Sequence, residues 1–126
     1  MKRLVIVLAV AALMVALCAG AALAALVEGN NGPNTLTGTP RADAIRAYGG
    51  DDLVRALGGN DRVNGGKGND RFYGGYGNDH IVSQDLNFRG IGQRDVVDCG
   101  PGRDTFGADY EDRILDNCEE GSVGGF

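Results

Sequence analysis

The chain has few of the side chains from which a compact hydrophobic core is built. Its 126 residues include no Trp, and the aromatic residues together account for 6% of the sequence. The first thirty residues hold a large share of the aliphatic side chains, so the remainder is rich in Gly and Asp and poor in core-forming residues. The length allows one small domain at most, because domains usually contain about 100 to 150 residues.

Positive charge is also scarce. The sequence has 12 Lys and Arg against 17 Asp and Glu, which gives a net charge of −5. No nucleic-acid partner is expected, since binding to a phosphate backbone requires clustered Lys and Arg. Pro is present at only 3 positions, and the 22 Gly residues do not recur at every third position. A collagen-like chain is therefore excluded.

One long hydrophobic run is present, and it lies at the N-terminus. Residues 1–3 carry two positive charges, residues 4–17 are apolar, and Ala22-Leu23-Ala24 has the small-x-small pattern of a cleavage site. These features are typical of a secretory signal peptide. The sequence therefore predicts a signal peptide over residues 1–24, cleavage after Ala24, and a secreted, extracellular protein without membrane contact after cleavage.

Two alternatives for the N-terminal segment remain. The apolar run continues to Val27 and is long enough to span a bilayer as an uncleaved anchor. A lipoprotein would use Cys18, although Leu17 stands where a small residue is needed. Cleavage after Ala24 would remove two basic residues and Cys18, leaving a net charge of −7 and two cysteines, Cys99 and Cys118. An even pair in an exported chain indicates a disulfide.

A nine-residue repeat runs without a gap over residues 29–82. Its copies read GNNGPNTLT, GTPRADAIR, AYGGDDLVR, ALGGNDRVN, GGKGNDRFY and GGYGNDHIV. The sixth position is Asp in all but the first copy: Asn34, Asp43, Asp52, Asp61, Asp70 and Asp79. The eighth position is always apolar: Leu36, Ile45, Val54, Val63, Phe72 and Ile81. Such a fixed phase over six copies predicts a repeat architecture.

Each position of the repeat has a physical reason. Gly at the first, second and fourth positions permits a positive φ and a close approach of neighbouring backbone, and Asn or Asp at the fifth tolerates the left-handed region next best. The three residues after the turn form a short strand with a single inward side chain. One turn and one short strand, repeated, predict a solenoid.

The pattern G-G-x-G-x-D-x-U-x resembles the calcium-binding nonapeptide repeat of RTX (hemolysin-type) proteins. The resemblance implies an all-β fold, a right-handed parallel β-roll in which two copies make one coil and residues 18 apart stack. Leu36, Val54 and Phe72 would then form one inner ladder, and Ile45, Val63 and Ile81 the ladder facing it. The C-terminal segment from DCGPGRD to DNCEE also resembles the ends of secreted actinobacterial proteins of this type.

The resemblance further implies Ca²⁺ between successive coils. The expected pairs are Asp52 with Asp70, Asp61 with Asp79 and Asp43 with Asp61, together with backbone carbonyls near Gly50, Gly59, Gly65, Gly68, Gly74 and Gly77. Carboxylates stacked about 4.8 Å apart repel one another, and a cation between them removes that cost. Ca²⁺ accepts six to eight oxygens in a flexible geometry, whereas Mg²⁺ requires a tighter octahedron. Asn34 and Arg41 depart from the pattern, so weak or no metal is expected at the N-terminal end.

The remaining segments complete the predicted organisation. Residues 25–28 lead into the repeats, residues 83–89 form an inserted loop, and residues 90–126 contain degenerate repeats and a cap. The inward positions there are Val97, Phe106 and Leu115, and the acid positions are Asp95 and Asp104. Arg113 would stack on Asp95, so a structural role is expected for these two acids rather than metal binding. A Cys99–Cys118 bridge would staple the last coil, since disulfide Cα separations bracket the strand spacing.

No catalytic machinery is expected. His80 is the single histidine and should point outward beside the inward Ile81, so no nucleophile and base can be assembled. The leading hypothesis is a secreted Ca²⁺-binding β-roll that folds or rigidifies in extracellular Ca²⁺. The alternatives are a constitutively folded adhesion or interaction module with structural calcium and, with less support, a small hydrolase. Tyr48, Tyr73 and Tyr76 could offer a sugar-stacking surface, but the sequence leaves open whether the partner is a protein or a polysaccharide.

Overall fold

The computed structural model describes residues 24–83 and 93–124. Most of the predicted signal peptide and of the predicted loop at 83–89 lie outside these residues. Within them the chain forms eleven strands and no helix. The strands are Ala25–Glu28 (β1), Thr35–Thr37 (β2), Asp43–Arg46 (β3), Leu53–Arg55 (β4), Arg62–Asn64 (β5), Arg71–Tyr73 (β6), His80–Val82 (β7), Val96–Asp98 (β8), Thr105–Ala108 (β9), Arg113–Ile114 (β10) and Glu120–Val123 (β11). In these two stretches, no helix is long and apolar enough to cross a membrane.

The strands alternate between two parallel sheets. The six odd-numbered strands form one sheet in sequence order, and the five even-numbered strands form the other. Val54 pairs with Leu36 and with Phe72, each 18 residues away. Phe72 pairs in turn with Val97, 25 residues later, so seven additional residues separate these coils. Parallel pairing at this offset confirms the predicted β-roll with two copies per coil.

The core consists of the inward side chains of the two sheets. The pattern along β2, β5 and β6 is exposed, buried, exposed, because successive side chains of a strand point to opposite faces. The two predicted ladders are confirmed, since each predicted inward residue is buried and in register with its neighbour. Ala47, Ala56 and Cys99, at the first position of their copies, also belong to the buried cluster. Small side chains at this position therefore fill the space between the ladders.

The left-handed backbone positions differ from the prediction. The described residues with positive φ occupy the second and fourth positions of the repeats, whereas the fifth position does not have a positive φ. Tyr48 (φ 70°) and Leu57 (φ 71°) take the second position in two copies where later copies have Gly. The fifth position instead forms a hydrogen-bond ladder, in which Asp51 Oδ1 accepts from Asn69 N at 2.9 Å and Asn60 Oδ1 from Asn78 N at 2.8 Å.

The phase of the last degenerate repeat also differs from the prediction. Ile114, rather than Leu115, pairs with Val97 and packs against the core, so the predicted inward position of Leu115 is wrong. Asp112, rather than Arg113, stacks on Asp95, because its Oδ1 accepts a hydrogen bond from Asp95 N at 2.9 Å. The spacing here is 17 residues instead of 18. Loss of a single residue from this coil therefore moved every later residue by one position.

The predicted disulfide is present at the C-terminal end of the roll. Cys99 follows β8, Cys118 follows β10, and their Cα atoms are 5.2 Å apart. Because β8 and β10 are neighbouring strands, the bond joins two adjacent coils. The prediction of a staple on the last coil is confirmed.

Candidate metal centre

Two rows of buried acids follow the two edges of the roll, where the chain turns from one sheet to the other. Each acid is the last turn residue before or at the start of a strand, and each Asp is at most 3% exposed. One row contains Asn34, Asp52, Asp70 and Asp95, and the other contains Asp43, Asp61, Asp79 and Asp104. The structure thus brings the predicted pairs of acids next to one another.

A repeated hydrogen bond holds the carboxylates in each row. One oxygen of each acid accepts the backbone N–H of the acid one coil earlier. Asp61 N donates to Asp79 Oδ1 at 2.9 Å, and Asp52 N donates to Asp70 Oδ1 at 2.8 Å. The carboxylates are therefore fixed in position by the coil beneath them, before any metal is considered.

The second carboxylate oxygen is left over by this arrangement. The Oδ2 atoms of Asp52, Asp61, Asp79 and Asp104 are buried and accept no hydrogen bond within the described residues. Burial of a polar atom without a partner costs free energy, more so when the group is charged. An oxygen in this situation is a suitable ligand for a cation, and repetition at the same position in several coils points to a designed feature.

The glycines close the turn around this oxygen. A Cβ on Gly74 would lie 2.8 Å from Asp79 Oδ2 and 2.5 Å from Cys99 O, so only Gly fits there. Gly65 has the same relation to Asp70 Oδ2, at 2.9 Å. Gly50, Gly59, Gly68 and Gly77 have positive φ, and a Cβ on Gly77 would collide with the carbonyl oxygen of Gly59. Backbone oxygens of successive turns therefore lie close to the carboxylates.

These donors suit a hard cation. Among residues 24–83 and 93–124, no three His, Cys, Asp or Glu side chains converge on one point. A metal at the edges of the roll would consequently take carbonyl oxygens in addition to carboxylates. Ca²⁺ accepts this mixture, with six to eight oxygens at flexible angles, whereas zinc sites require nitrogen and sulfur donors.

Comparison with protein families agrees with this geometry. Residues 28–63 and 56–85 match the RTX calcium-binding nonapeptide repeat, in four copies. Through these residues the chain belongs to the RTX calcium-binding repeat family. Searches of curated proteins and of solved structures found no significant match.

The first complete acid of the RTX array differs from the later ones. Both oxygens of Asp43 accept hydrogen bonds: Oδ2 from Thr39 N at 2.6 Å, and Oδ1 from Thr39 Oγ1 at 2.8 Å and from Ala25 N at 3.2 Å. Asp43 is therefore already satisfied by protein groups. Asn34 takes the preceding place in the other row and carries no charge.

The RTX rows continue beyond the matched repeats. Asp70 N donates to Asp95 Oδ1, and Asp79 N donates to Asp104 Oδ1, each at 2.7 Å. The argument that these two acids have no acidic neighbour is therefore wrong. Their neighbours lie 25 residues earlier, and the search considered only a spacing of 18 towards the C-terminus. Adding the seven-residue insertion to the spacing would have found them.

Two acids that the sequence reading missed extend the rows further. Asp112 Oδ1 accepts from Asp95 N at 2.9 Å, and Glu119 Oε2 accepts from Asp104 N at 2.8 Å. Neither lies in the sixth position of a recognisable repeat, so the nine-residue phase could not have found them. Each row thus ends on an acidic side chain that binds the last free backbone N–H.

Burial and mutual repulsion raise the pKa of the RTX acids. The pKa of Asp79 rises from the ordinary value of 3.8 to about 7, chiefly because the carboxylate is desolvated, and the charges of Asp61 and Asp104 raise it further. The pKa of Asp61 rises to about 6, again chiefly by desolvation, with Asp43 as the nearby charge. Desolvation likewise raises the pKa of Asp52 and of Asp104. The fold without metal therefore disfavours the charged carboxylates.

This shift predicts the pH dependence of the metal-free protein. A folded-state pKa above the unfolded value stabilises the fold at acidic pH and withdraws that stability as pH rises through the folded pKa. In EDTA, the free energy of unfolding should fall between about pH 4 and pH 7, the window given by Asp61 and Asp79. Urea unfolding across this range measures it. A free energy that rises with pH over the same window would contradict the prediction.

The other titratable candidates lie away from the acid rows. His80 is exposed on the outer face of its sheet, as predicted, and its Nδ1 lies 2.7 Å from Thr105 Oγ1. Ser83 Oγ donates to Asp112 Oδ2 at 2.8 Å, and no histidine is among its hydrogen-bond partners. These two contacts explain the placement of both side chains as parts of the coil framework.

Proposed function

We propose that this protein is a secreted β-roll that binds Ca²⁺ at the edges of its RTX coils and gains folding stability from it. The observation that carries the proposal is the recurrence of a buried carboxylate oxygen without a hydrogen-bond partner at the same position of successive coils, in Asp52, Asp61, Asp79 and Asp104. The match to the RTX repeat family supports calcium as the cation.

The proposed sites lie between neighbouring coils. Each uses two acids of one row together with carbonyl oxygens of the glycine turns around them. The central pairs are Asp52 with Asp70 and Asp61 with Asp79. The same stacking extends the proposal to Asp70 with Asp95 and to Asp79 with Asp104. The Asp43 and Asp61 pair should fill last, because the oxygens of Asp43 already accept three hydrogen bonds.

Calcium binding and folding should be coupled. Without a cation, the fold must bury several carboxylates in rows, and the raised pKa values express the resulting cost. A cation that binds the folded coils and not the unfolded chain adds its binding free energy to the stability of the fold. Extracellular calcium modules bind with Kd values of about 10⁻⁴ to 10⁻³ M, which would leave the chain less stable where Ca²⁺ is low.

Substitution of Asp79 by Asn tests the proposed sites. Asn keeps the shape of the side chain and the Oδ1 acceptor for Asp61 N but removes the buried charge. We expect D79N to weaken Ca²⁺ binding at two neighbouring sites, each by at least about tenfold, or 1.4 kcal/mol. In EDTA at pH 8 the same variant should be more stable than the wild type, because a desolvated charge has been removed. Isothermal titration with Ca²⁺ and urea unfolding in EDTA measure the two effects.

Asp51→Asn is the matched control. Asp51 is the neighbouring acid of a turn, but it is exposed, and its Oδ1 accepts from Asn69 N in the same way as Asn60 accepts from Asn78 N. D51N should therefore leave both Ca²⁺ affinity and stability in EDTA nearly unchanged. If D79N lowers stability equally with and without Ca²⁺, Asp79 has a purely structural role and the proposal fails.

We also propose that residues 1–24 are a signal peptide removed on export. The first strand, β1, begins at Ala25, the residue after the predicted cleavage position. The backbone nitrogen of Ala25 lies 3.2 Å from Asp43 Oδ1, so cleavage would place the new α-ammonium group beside a buried carboxylate. That positive charge would occupy the place that a metal ion takes in later coils. The mass of the exported protein should correspond to residues 25–126, and a chain that retains residues 1–24 would exclude this boundary.

A constitutively folded interaction module remains the second candidate. It is favoured by the Cys99–Cys118 bond and by the continuous backbone ladder between coils, which need no metal to form. Under this alternative Ca²⁺ would only rigidify an existing roll. The two candidates differ in the amount of β-structure in EDTA. In neither does the proposed activity include catalysis.

A further inference from the structure

A groove outside the acid rows has the composition of a ligand site. It has a volume of about 360 Å³ and is lined by Asn31, Arg46, Tyr48, Gly49, Asn64, Gly66, Lys67 and Val82. Its floor is the row Arg46, Asn64 and Val82, which are in register on the neighbouring strands β3, β5 and β7. Residues of the adjacent glycine turns form its rim. None of these side chains is needed for the acid rows described above.

Tyr48 is the unusual residue of this groove. It has φ 70° at the second position of its repeat, where Gly66 and Gly75 have Gly with a similar angle. A non-Gly residue in the left-handed region costs roughly 1 to 2 kcal/mol, and such outliers cluster at functional sites. The side chain is held in place by a 2.8 Å hydrogen bond from Tyr48 Oη to Glu28 Oε1, and it is 46% exposed. A strained aromatic side chain is therefore displayed at the rim of the groove.

The charge of the groove is positive although the protein is acidic. Arg46 and Lys67 contribute two positive charges, and Glu28, 3.8 Å from Arg46, contributes one negative charge. Within the described residues, the Lys67 ammonium group takes part in no ion pair, although its backbone N–H donates to Tyr48 O at 2.8 Å. Asn31 and Asn64 add amide groups that can both donate and accept hydrogen bonds. An anionic ligand with hydroxyl groups would satisfy this set.

The dimensions of the groove suit a short carbohydrate. Its floor crosses three strands, which are about 4.8 Å apart, and thus extends over about 10 Å. This length matches about two pyranose rings, and the volume lies in the range of small-molecule sites. The tyrosine ring offers a surface for the C–H face of a sugar, the amides can bind hydroxyl groups, and Arg46 and Lys67 can bind a carboxylate with charge-assisted hydrogen bonds.

We propose that this groove binds an acidic saccharide, with a uronate carboxylate between Arg46 and Lys67 and a sugar ring on Tyr48. The other tyrosines do not share the site, because Tyr73 projects from the opposite sheet and Tyr76 lies in a turn outside the groove. The proposal rests on the groove and its charges and is independent of the proposed calcium sites. Saccharide binding would make the outer face of the roll a recognition surface.

The test uses a hyaluronan tetrasaccharide, which alternates glucuronate with N-acetylglucosamine, and its neutral counterpart, the N-acetylglucosamine tetramer. Binding to residues 25–126 is measured by NMR titration in excess Ca²⁺, and the Ca²⁺-induced transition of each variant is recorded separately. We expect the acidic tetrasaccharide to bind at least about tenfold more tightly than the neutral one. K67Q and Y48G should each weaken binding of the acidic tetrasaccharide by at least about tenfold.

Leu57→Gly is the matched control for Tyr48→Gly. Both changes restore Gly at a strained second position, so both should increase resistance to urea, whereas only Y48G removes a residue of the groove. L57G should therefore retain full affinity. The proposal is overturned if the two tetrasaccharides bind equally, if neither binds at millimolar concentration, or if Y48G and K67Q bind as the wild type does. Because Ca²⁺ transitions are read separately, a failure here leaves the calcium proposal intact.

Discussion

Replacement of Phe72 by Ala is expected to lower the free energy of unfolding by about 3 to 5 kcal/mol, the largest effect of any single substitution considered. Phe72 is 1% exposed and lies in the middle of an inner ladder, between Val54 and Val97. The core contains few large side chains, so no neighbour can fill the cavity. Natural domains have only about 5 to 15 kcal/mol in total, and F72A should therefore unfold most of the protein at low Ca²⁺.

The control for this substitution is the next residue along the strand. Tyr73 is 40% exposed and points away from the core, so Y73A should change stability by less than about 1 kcal/mol. Urea unfolding at saturating Ca²⁺ compares the two variants. Equal losses from F72A and Y73A would contradict the alternation of inward and outward side chains on which the β-roll rests.

Loss of the disulfide is expected to have the second largest effect. The Cys99–Cys118 bond closes a loop with a sequence separation of 19 residues, and a cross-link of this length typically contributes about 3 kcal/mol by restricting the unfolded chain. The double variant C99S/C118S should therefore lose about this amount, and reduction of the wild type should give the same result.

The effect of the disulfide should also be local. In a solenoid each coil contacts only its neighbours, so a lost staple loosens the end of the array before it loosens the centre. Hydrogen exchange in C99S/C118S should show reduced protection in β8–β11 and near-native protection in β3–β7. Uniform loss of protection throughout the chain would indicate that the roll unfolds as one unit and not coil by coil.

The nine-residue phase accounts for most of what the sequence predicted correctly. An apolar residue at every eighth position determined which side chains face inward, and an acid at every sixth position placed Asp52 above Asp70 and Asp61 above Asp79. Both follow from geometry, since one coil contains two copies of the repeat. The disulfide could be predicted for the same reason, because its two cysteines are separated by about one coil.

The prediction failed where the phase changes. The insertion before β8 lengthens one coil by seven residues, which hid the stacking of Asp104 on Asp79. The last coil is shorter by one residue, which moved Ile114 inward in place of Leu115. Counting residues cannot locate such shifts, since they are decided by how the chain closes each turn. Likewise, Tyr48 and Leu57 show that packing can hold a side chain in a conformation for which its residue type has little preference.

The hydrogen bonds of the turns were also beyond the sequence. A reading of residue types identifies Asp as a turn former or a metal ligand, and here each central Asp has both roles through different oxygens. Asp79 Oδ1 accepts from the coil beneath, and Oδ2 remains for a cation. The division of labour between the two oxygens depends on the orientation of the carboxylate, which only the three-dimensional structure provides.

A calcium titration of residues 25–126, followed by far-UV circular dichroism from EDTA with Mg²⁺ as the control, tests the central claim most directly. The account predicts that Ca²⁺ produces a cooperative increase in β-structure with a midpoint of about 10⁻⁴ to 10⁻³ M, that Mg²⁺ does not, and that D79N shifts the transition to higher Ca²⁺. A full β-signal in EDTA that Ca²⁺ does not change, in spectrum or in resistance to urea, would contradict the coupling of metal binding to the fold.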